Sequence, residues 1–375
     1  MARPARRALR AVLVVVASAA LPSCGGGAGK MAMRQVATPR PGRAVGGRVA
    51  VVYSREYQID LGGLERLHSF DIHKYARIYR ALVASGALRP SDVFVPRPVT
   101  EEQILRVHTP AFVASLRSSA AVGRYLEQPK IGKLPPRVAD AAIVRAFRHA
   151  TGGTVLAGLL ALRHGVAINL AGGYHHAKPD TGEGFCIYND IAIAIRDLRA
   201  AGRIRRALVV DLDVHQGNGT AECFAGDNGV FTFSMHEGDI YPIPKAASDL
   251  DIELPAGTGD EETLRILART LPKLFEQARP ELVVLQAGCD TLAGDPLARL
   301  AMTPEGIVRR DAMVIDECVR RGVPVAVTLG GGYGRDAWRA QYASVLRTLI
   351  RHGSAVPAAA PPPARKATGK KHKGL

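Results

Sequence analysis

The sequence predicts an α/β fold, a single large domain with a parallel sheet and helices on both faces. Three observations predict it. Seven short apolar runs rich in β-branched residues recur along the chain, segments of helix length separate them, and neither an internal repeat nor a long polar stretch divides the region. Strands covered on both faces read as continuous apolar runs, whereas a sheet with one wet face reads as alternation. Connections of helix length suit parallel neighbours, which need a crossover.

The elements follow in order. Arg3, Arg6, Arg7 and Arg10 precede the apolar run 11–21, which is followed by Pro22, Ser23, Cys24 and a glycine-rich stretch. Residues 1–24 resemble a bacterial lipoprotein-type signal with Cys24 as the lipidated residue, which would tether the protein to a membrane. The alternative is a start codon placed too far upstream, with Met31 or Met33 as the first residue and a cytoplasmic protein. In either case the run is too short to span a bilayer. Residues 25–47, rich in Gly, Arg and Pro, read as a linker, and the domain is expected over 48–353. Its strand runs are 49–53, 93–95, 166–170, 207–210, 230–233, 282–285 and 323–329. Between them, Asn189 or Asp190 can cap a helix that places Ile191, Ile195 and Leu198 on one face, with Gly202 where it stops. Thr303 and Pro304 open another, with Ile307, Val314 and Cys318 on one side and Gly322 as its end. Residues 354–375, with Pro357, Pro361, Pro362, Pro363, Lys370 and Lys371, read as a disordered basic tail.

The net charge of +16 invites a nucleic-acid partner, but its placement does not. Residues 1–50 carry nine Lys/Arg and 351–375 carry six, with no acid in either, so the 300 residues between hold 35 basic against 34 acidic side chains. The domain is near neutral, and specific nucleic-acid binding by it is not expected. Five cysteines (Cys24, Cys186, Cys223, Cys289, Cys318) are an odd number without a CxxC pair, so neither a disulfide framework nor a structural zinc cluster is implied.

Four polar clusters begin where apolar runs end: 171–176 after Leu170, 211–218 after Val210, 286–295 after Leu285 and 330–333 after Leu329. Loops at the carboxyl ends of parallel strands share one edge, where ligands bind, so these clusters should converge. Asp211, Asp213 and His215 stand at alternate positions and, in an extended segment, would point the same way. Carboxylate oxygens with an imidazole suit zinc or ferrous iron better than calcium. The alternative is that the three merely cap strand ends and pair with lysines. His175 and His176 follow a Gly-Gly turn, and adjacent imidazoles can divide proton transfer between water and leaving group. Tyr333 follows three glycines that let the backbone turn and present a phenol to a developing oxyanion. No phosphate-loop string and no G-x-S-x-G elbow occurs, and Cys186 beside the histidines reads as packing rather than as a nucleophile.

The strings GGYHHAKPDTGEGFCIYND, DLDVHQGNGT, QAGCDTLAGDPL and LGGGY, in that order over residues 49–349, resemble the zinc-dependent histone deacetylase superfamily, which includes acetylpolyamine amidohydrolases and acetoin-utilisation proteins. DLDVHQGNG with FSMHEGDIYP looks closer to its bacterial and class IV branch. The resemblance implies an arginase/deacetylase-like three-layer sandwich and zinc-dependent hydrolysis of an acyl-amide on a primary amine. It makes Asp213, His215 and Asp295 the zinc ligands, with Fe2+ as an alternative metal. Spacing alone could not have chosen Asp295 over Asp290.

By the same resemblance His175 and His176 are the paired catalytic histidines, Asp211 orients the first, and Asn218 stands behind the second where many relatives have an aspartate. An amide there should leave His176 less basic. Tyr333 polarises the scissile carbonyl, Gly184 and Phe185 form one wall of the acyl-lysine channel, and Tyr241 falls about where the other wall lies. A structural potassium ion is implied at Asp211 with the carbonyls of Asp213 and His215, and with Ser234 and Met235 at the matching loop. The expected substrate is an acetylated lysine peptide or protein, with an acetylated polyamine or a catalytically silent acyl-lysine binder as alternatives. No residue matches the acidic rim group that holds substrate backbone in some relatives.

Overall fold

A computed structural model describes residues 48–63, 65 and 68–353. The signal segment with Cys24, the linker and the basic tail lie outside the described residues. The apolar runs form strands of one sheet: β1 (Val49–Val52), β2 (Val93–Phe94), β3 (Val166–Asn169), β4 (Ala207–Asp211), β5 (Val230–Glu237), β6 (Leu250–Leu254), β7 (Leu282–Gln286) and β8 (Val325–Thr328). Their order is β2-β1-β3-β8-β7-β4-β5-β6, and every pairing is parallel. β6 is the strand absent from the sequence reading. Its LDIEL pattern alternates polar with apolar and is only partly buried at the sheet edge, so it carries none of the continuous apolar signature of the central strands.

The side-chain period of two divides each central strand between two cores. Val49, Val51, Leu208, Val210, Val283 and Leu285 pack on one face with Ile78, Leu271, Val314 and Leu349 from four helices. Ala50, Val52, Val209 and Val284 pack on the other with Ala157, Leu160, Ile191, Ile195 and Leu198. The helix Asp190–Ala200 is N-capped by Asn189, whose side chain accepts from Ala192 N, and Gly202 follows it at φ 65°. Thr303 caps Pro304–Arg321 through Gly306 N, and Gly322 ends it in the left-handed region. Cys186, Cys223, Cys289 and Cys318 are all free and buried. Among the described residues no helix is long and apolar enough to cross a membrane.

β3, β8, β7 and β4 are consecutive in the sheet. These are the four strands that the polar clusters follow, so four loops separated by up to 160 residues of sequence leave one edge side by side.

Candidate active site

The β3 loop is shaped by glycine. Gly172 and Gly173 sit at φ 78° and 85°, and a Cβ on Gly173 would stand 2.6 Å from Gly330 Cα in the β8 loop. Buried Asp190 anchors the turn by accepting from Gly173 N (3.0 Å) and Tyr174 N (2.7 Å). His175 and His176 follow, both about 3% exposed, with ring centroids 4.1 Å apart.

Their Nδ1 partners differ. His175 Nδ1 lies 2.7 Å from Asp211 Oδ2, and its Nε2 is 3.8 Å from Asp213 Oδ1. Burial opposes charge on this ring, but the two carboxylates outweigh it and raise its pKa to about 9. His176 Nδ1 lies 2.7 Å from Asn218 Oδ1. Burial, then the charges of His175 and His215, hold its pKa well below the usual value, and the neutral amide compensates little. The two rings are thus driven in opposite directions, one towards imidazolium and one towards neutral base.

Asp213 lies at the centre. Its Oδ1 accepts from His215 N (3.1 Å) and its Oδ2 from Gln286 Nε2 and Gly331 N (both 2.9 Å). A donor atom of each of Asp213, His215 and Asp290 falls within 4.8 Å of the others, all three buried. Asp290 Oδ1 accepts from Val214 N, whereas its buried Oδ2 accepts no hydrogen bond. Burial, then the charge of Asp213, pushes Asp290 up to about 7. Buried oxygens carrying this much negative charge, one of them unsatisfied, beside an imidazole fit a divalent cation of zinc type. Asp295 is outside that group of three. Its Oδ2 accepts from Tyr333 N (2.8 Å) and Gly334 N (3.2 Å), and its Oδ1 from Leu297 N (3.0 Å). Asp295 therefore ties the β7 loop to the backbone of the predicted phenol, and Asp290 is the carboxylate beside Asp213 and His215.

The wall residues ride on a tight turn. Cys186 N donates to Glu183 O (2.9 Å), with Gly184 at φ 54° and Phe185 at φ 65°. A Cβ on Gly184 would meet His176 Cδ2 at 2.5 Å, so glycine lets the turn lie against the imidazole. The Phe185 ring stands edge-on to Tyr333 (5.9 Å) and to His68 (4.6 Å). Tyr241 stands edge-on to His176 at 4.9 Å. Phe70, which the sequence reading passed over, faces Tyr333 at 6.0 Å. Together His68, Phe70, Phe185 and Tyr333 line a mostly apolar cavity of about 1160 Å³, its open mouth included, with His175, His176 and Asp213 in its lining. Cys186 also lines it, but burial raises its thiol pKa well above normal and its Sγ donates to Gly184 O, which fits packing and not nucleophilic attack.

Residues outside the sequence reading hold this edge together. Buried Lys74 donates to Gly330 O (2.7 Å) and Gly331 O (2.8 Å). Fully buried Arg310 donates to Leu212 O, Thr291 Oγ1 and Gly288 O, bracketing the Asp213 and Asp290 loops. Ser234 pairs in register with Asp211, and with Met235 lies on β5 beside the end of β4, where its hydroxyl meets His236 Nδ1 at 2.9 Å.

A family profile described as histone deacetylase domain matches residues 68–349. Over 286 residues the chain is 42% identical to an uncharacterised protein of Picosynechococcus, covering 76% of this chain and 92% of that one. It is 36% identical over 309 residues to histone deacetylase 2 of Arabidopsis thaliana, covering 82% and 80%. The solved structure of the HDA15 HD domain superposes with a TM-score of 0.64 at 24% identity, over 80% of this chain and 90% of that one, a likeness of fold.

Proposed function

The chain belongs to the histone deacetylase family, and from that premise we propose that it is a zinc-dependent deacetylase acting on acetyl-lysine in a peptide or protein. The observation that carries the reading is the His175–His176 pair: both Nδ1 atoms are anchored by buried partners, one charged and one neutral, at an apolar cavity.

The metal would be held by Asp213 and His215, with Asp295 as the third ligand by motif and Asp290 against the cluster. When bound, zinc would supply Lewis-acid polarisation of the scissile carbonyl and of the attacking water. His176, kept neutral by burial, accepts a proton from that water at Nε2. His175, paired with Asp211, carries positive charge beside the reacting carbon and is placed to return a proton to the departing amine. The Tyr333 phenol donates to the acyl oxygen as negative charge develops on it. Phe185 and Phe70 exclude water from the aliphatic stem of the lysine, while Tyr241, outside the cavity lining and partly exposed, stands against His176. A potassium ion would sit at Asp211 with the carbonyls of Asp213 and His215, near Ser234 and Met235.

A turnover panel on an acetyl-lysine peptide and N-acetylputrescine, with metal analysis of the purified protein, tests the reading. Hydrolysis of the peptide with about one zinc per chain is expected. Preference for the acetylpolyamine would change the substrate, and binding of acetyl-lysine without turnover would make the protein a silent reader.

A further inference from the structure

Asn218 has a second partner. Its Oδ1 faces His176 Nδ1 at 2.7 Å, and its Nδ2 donates to Glu183 Oε1 at 2.5 Å. Glu183 opens the turn that carries Gly184 and Phe185, so the turn shaping the cavity wall also delivers a carboxylate to the back of the second histidine. Lys178 Nζ lies 3.5 Å from Glu183 Oε2 and 3.0 Å from Glu222 Oε1, so one ammonium is shared between the two carboxylates.

We propose that Glu183 is a positioning residue that sets the tautomer of His176 by fixing which way the Asn218 amide faces. A carboxylate accepts and does not donate, so Glu183 admits only the NH2 end of the amide. The oxygen is thereby turned to His176, and an oxygen that can only accept requires the proton on Nδ1. Nε2 is left with its lone pair facing the cavity. With the amide reversed, NH2 would face Nδ1, the ring proton would move to Nε2, and the ring could no longer take a proton there. A carboxylate at position 218 needs no such partner, because its two oxygens are equivalent. An amide has two unlike ends, and Glu183 removes the ambiguity. The inference rests on the reading of His176 as the proton acceptor.

The test uses the full chain with its metal. Glu183→Ala should lower kcat by about 10- to 100-fold, the usual cost of removing a residue that orients a functional group, with little change in KM. Glu183→Gln, whose amide can accept from or donate to Asn218 and so admits either end, should lower kcat by an amount between wild type and Glu183→Ala. Adding Asn218→Asp to Glu183→Ala should restore kcat, which recovery of a merely structural contact would not do. Independently of turnover, 15N-histidine NMR, with the His176 signals identified by their loss in His176→Gln, should show Nδ1 protonated in the wild type and that tautomer lost in Glu183→Ala. Unchanged kcat and an unchanged His176 tautomer in Glu183→Ala would overturn the proposal, as would failure of Asn218→Asp to restore kcat. A wild type with the expected tautomer but no activity on any acyl-amide would instead remove the functional reading and leave the positioning role standing.

Discussion

His215 Nδ1 stands 3.3 Å from Asp290 Oδ2, an ion-pair contact on an oxygen that accepts no hydrogen bond. Burial opposes charge on His215, but its contacts with Asp213 and Asp290 prevail and raise it to about 10, so a divalent ion would have to displace a proton to bind there. Two carboxylates compete for the place of third ligand. With Asp295 as that ligand, Asp295→Asn should abolish stoichiometric zinc, whereas Asp290→Asn should retain it with affinity weakened about 10- to 100-fold, as for loss of a group that orients a ligand. Metal content by mass spectrometry after dialysis decides it. The reverse result would make Asp290 the ligand and Asp295 the tether of the Tyr333 backbone.

Tyr333 is placed by its backbone rather than by its ring, since Asp295 holds its N–H and the ring touches Phe70 and Phe185 only edge-on. Tyr333→Phe should therefore fold normally and lose kcat by about 10²- to 10³-fold with KM nearly unchanged, the pattern for an oxyanion donor. Steady-state kinetics on the acetyl-lysine peptide measures this, and undiminished turnover would end the assignment.

Lys74 is fully buried, and its ammonium is spent on two carbonyls of the glycine loop that leads to Tyr333. Burial lowers its pKa, opposed by the nearby Asp290, Asp213 and Asp295. Lys74→Met keeps the volume but strands the Gly330 carbonyl, while Gly331 O keeps its bonds from Cys289 N and Gln341 Nε2, and it removes a positive charge facing the acidic cluster. A loss of about 2–4 kcal/mol is expected in urea unfolding, together with reduced turnover. A variant as stable as the wild type would show that water satisfies the Gly330 carbonyl.

The parallel sheet was legible because β3, β4, β7 and β8 are buried on both faces and therefore carry unbroken apolar runs. Convergence of the four loops was legible for the same reason, since polarity switches on abruptly where those runs stop. β6 was not, because an edge strand keeps polar residues. Lys74, Arg310 and Glu183 were not legible either. Each acts through contacts across 22 to 257 positions with backbone carbonyls or a side-chain amide, and a single charged residue in a helix or turn has no local pattern to announce such a partner. Asp290 and Asp295 share one loop, and only three-dimensional placement separates the one beside His215 from the one beside Tyr333.

His108 ties a pH dependence to the loop that follows the histidine pair. Its Nε2 accepts from Asn189 N (3.0 Å), which leaves Nδ1 to donate to Lys178 O (2.9 Å), so the buried ring is held neutral. Burial lowers its pKa to about 4, while in the unfolded chain it titrates near 6.5. Between these values the unfolded state binds the proton and the folded state does not, so stability rises with pH across this window. The contribution is fully present above pH 6.5. As pH falls to 4, about 3 kcal/mol should be lost, and below that no more. His108→Gln can keep both hydrogen bonds without titrating. The difference in unfolding free energy between wild type and variant, measured from pH 4 to 8, should therefore carry this slope. A pH-independent difference would show that His108 titrates alike in the folded and unfolded chain, so that the fold does not hold it neutral.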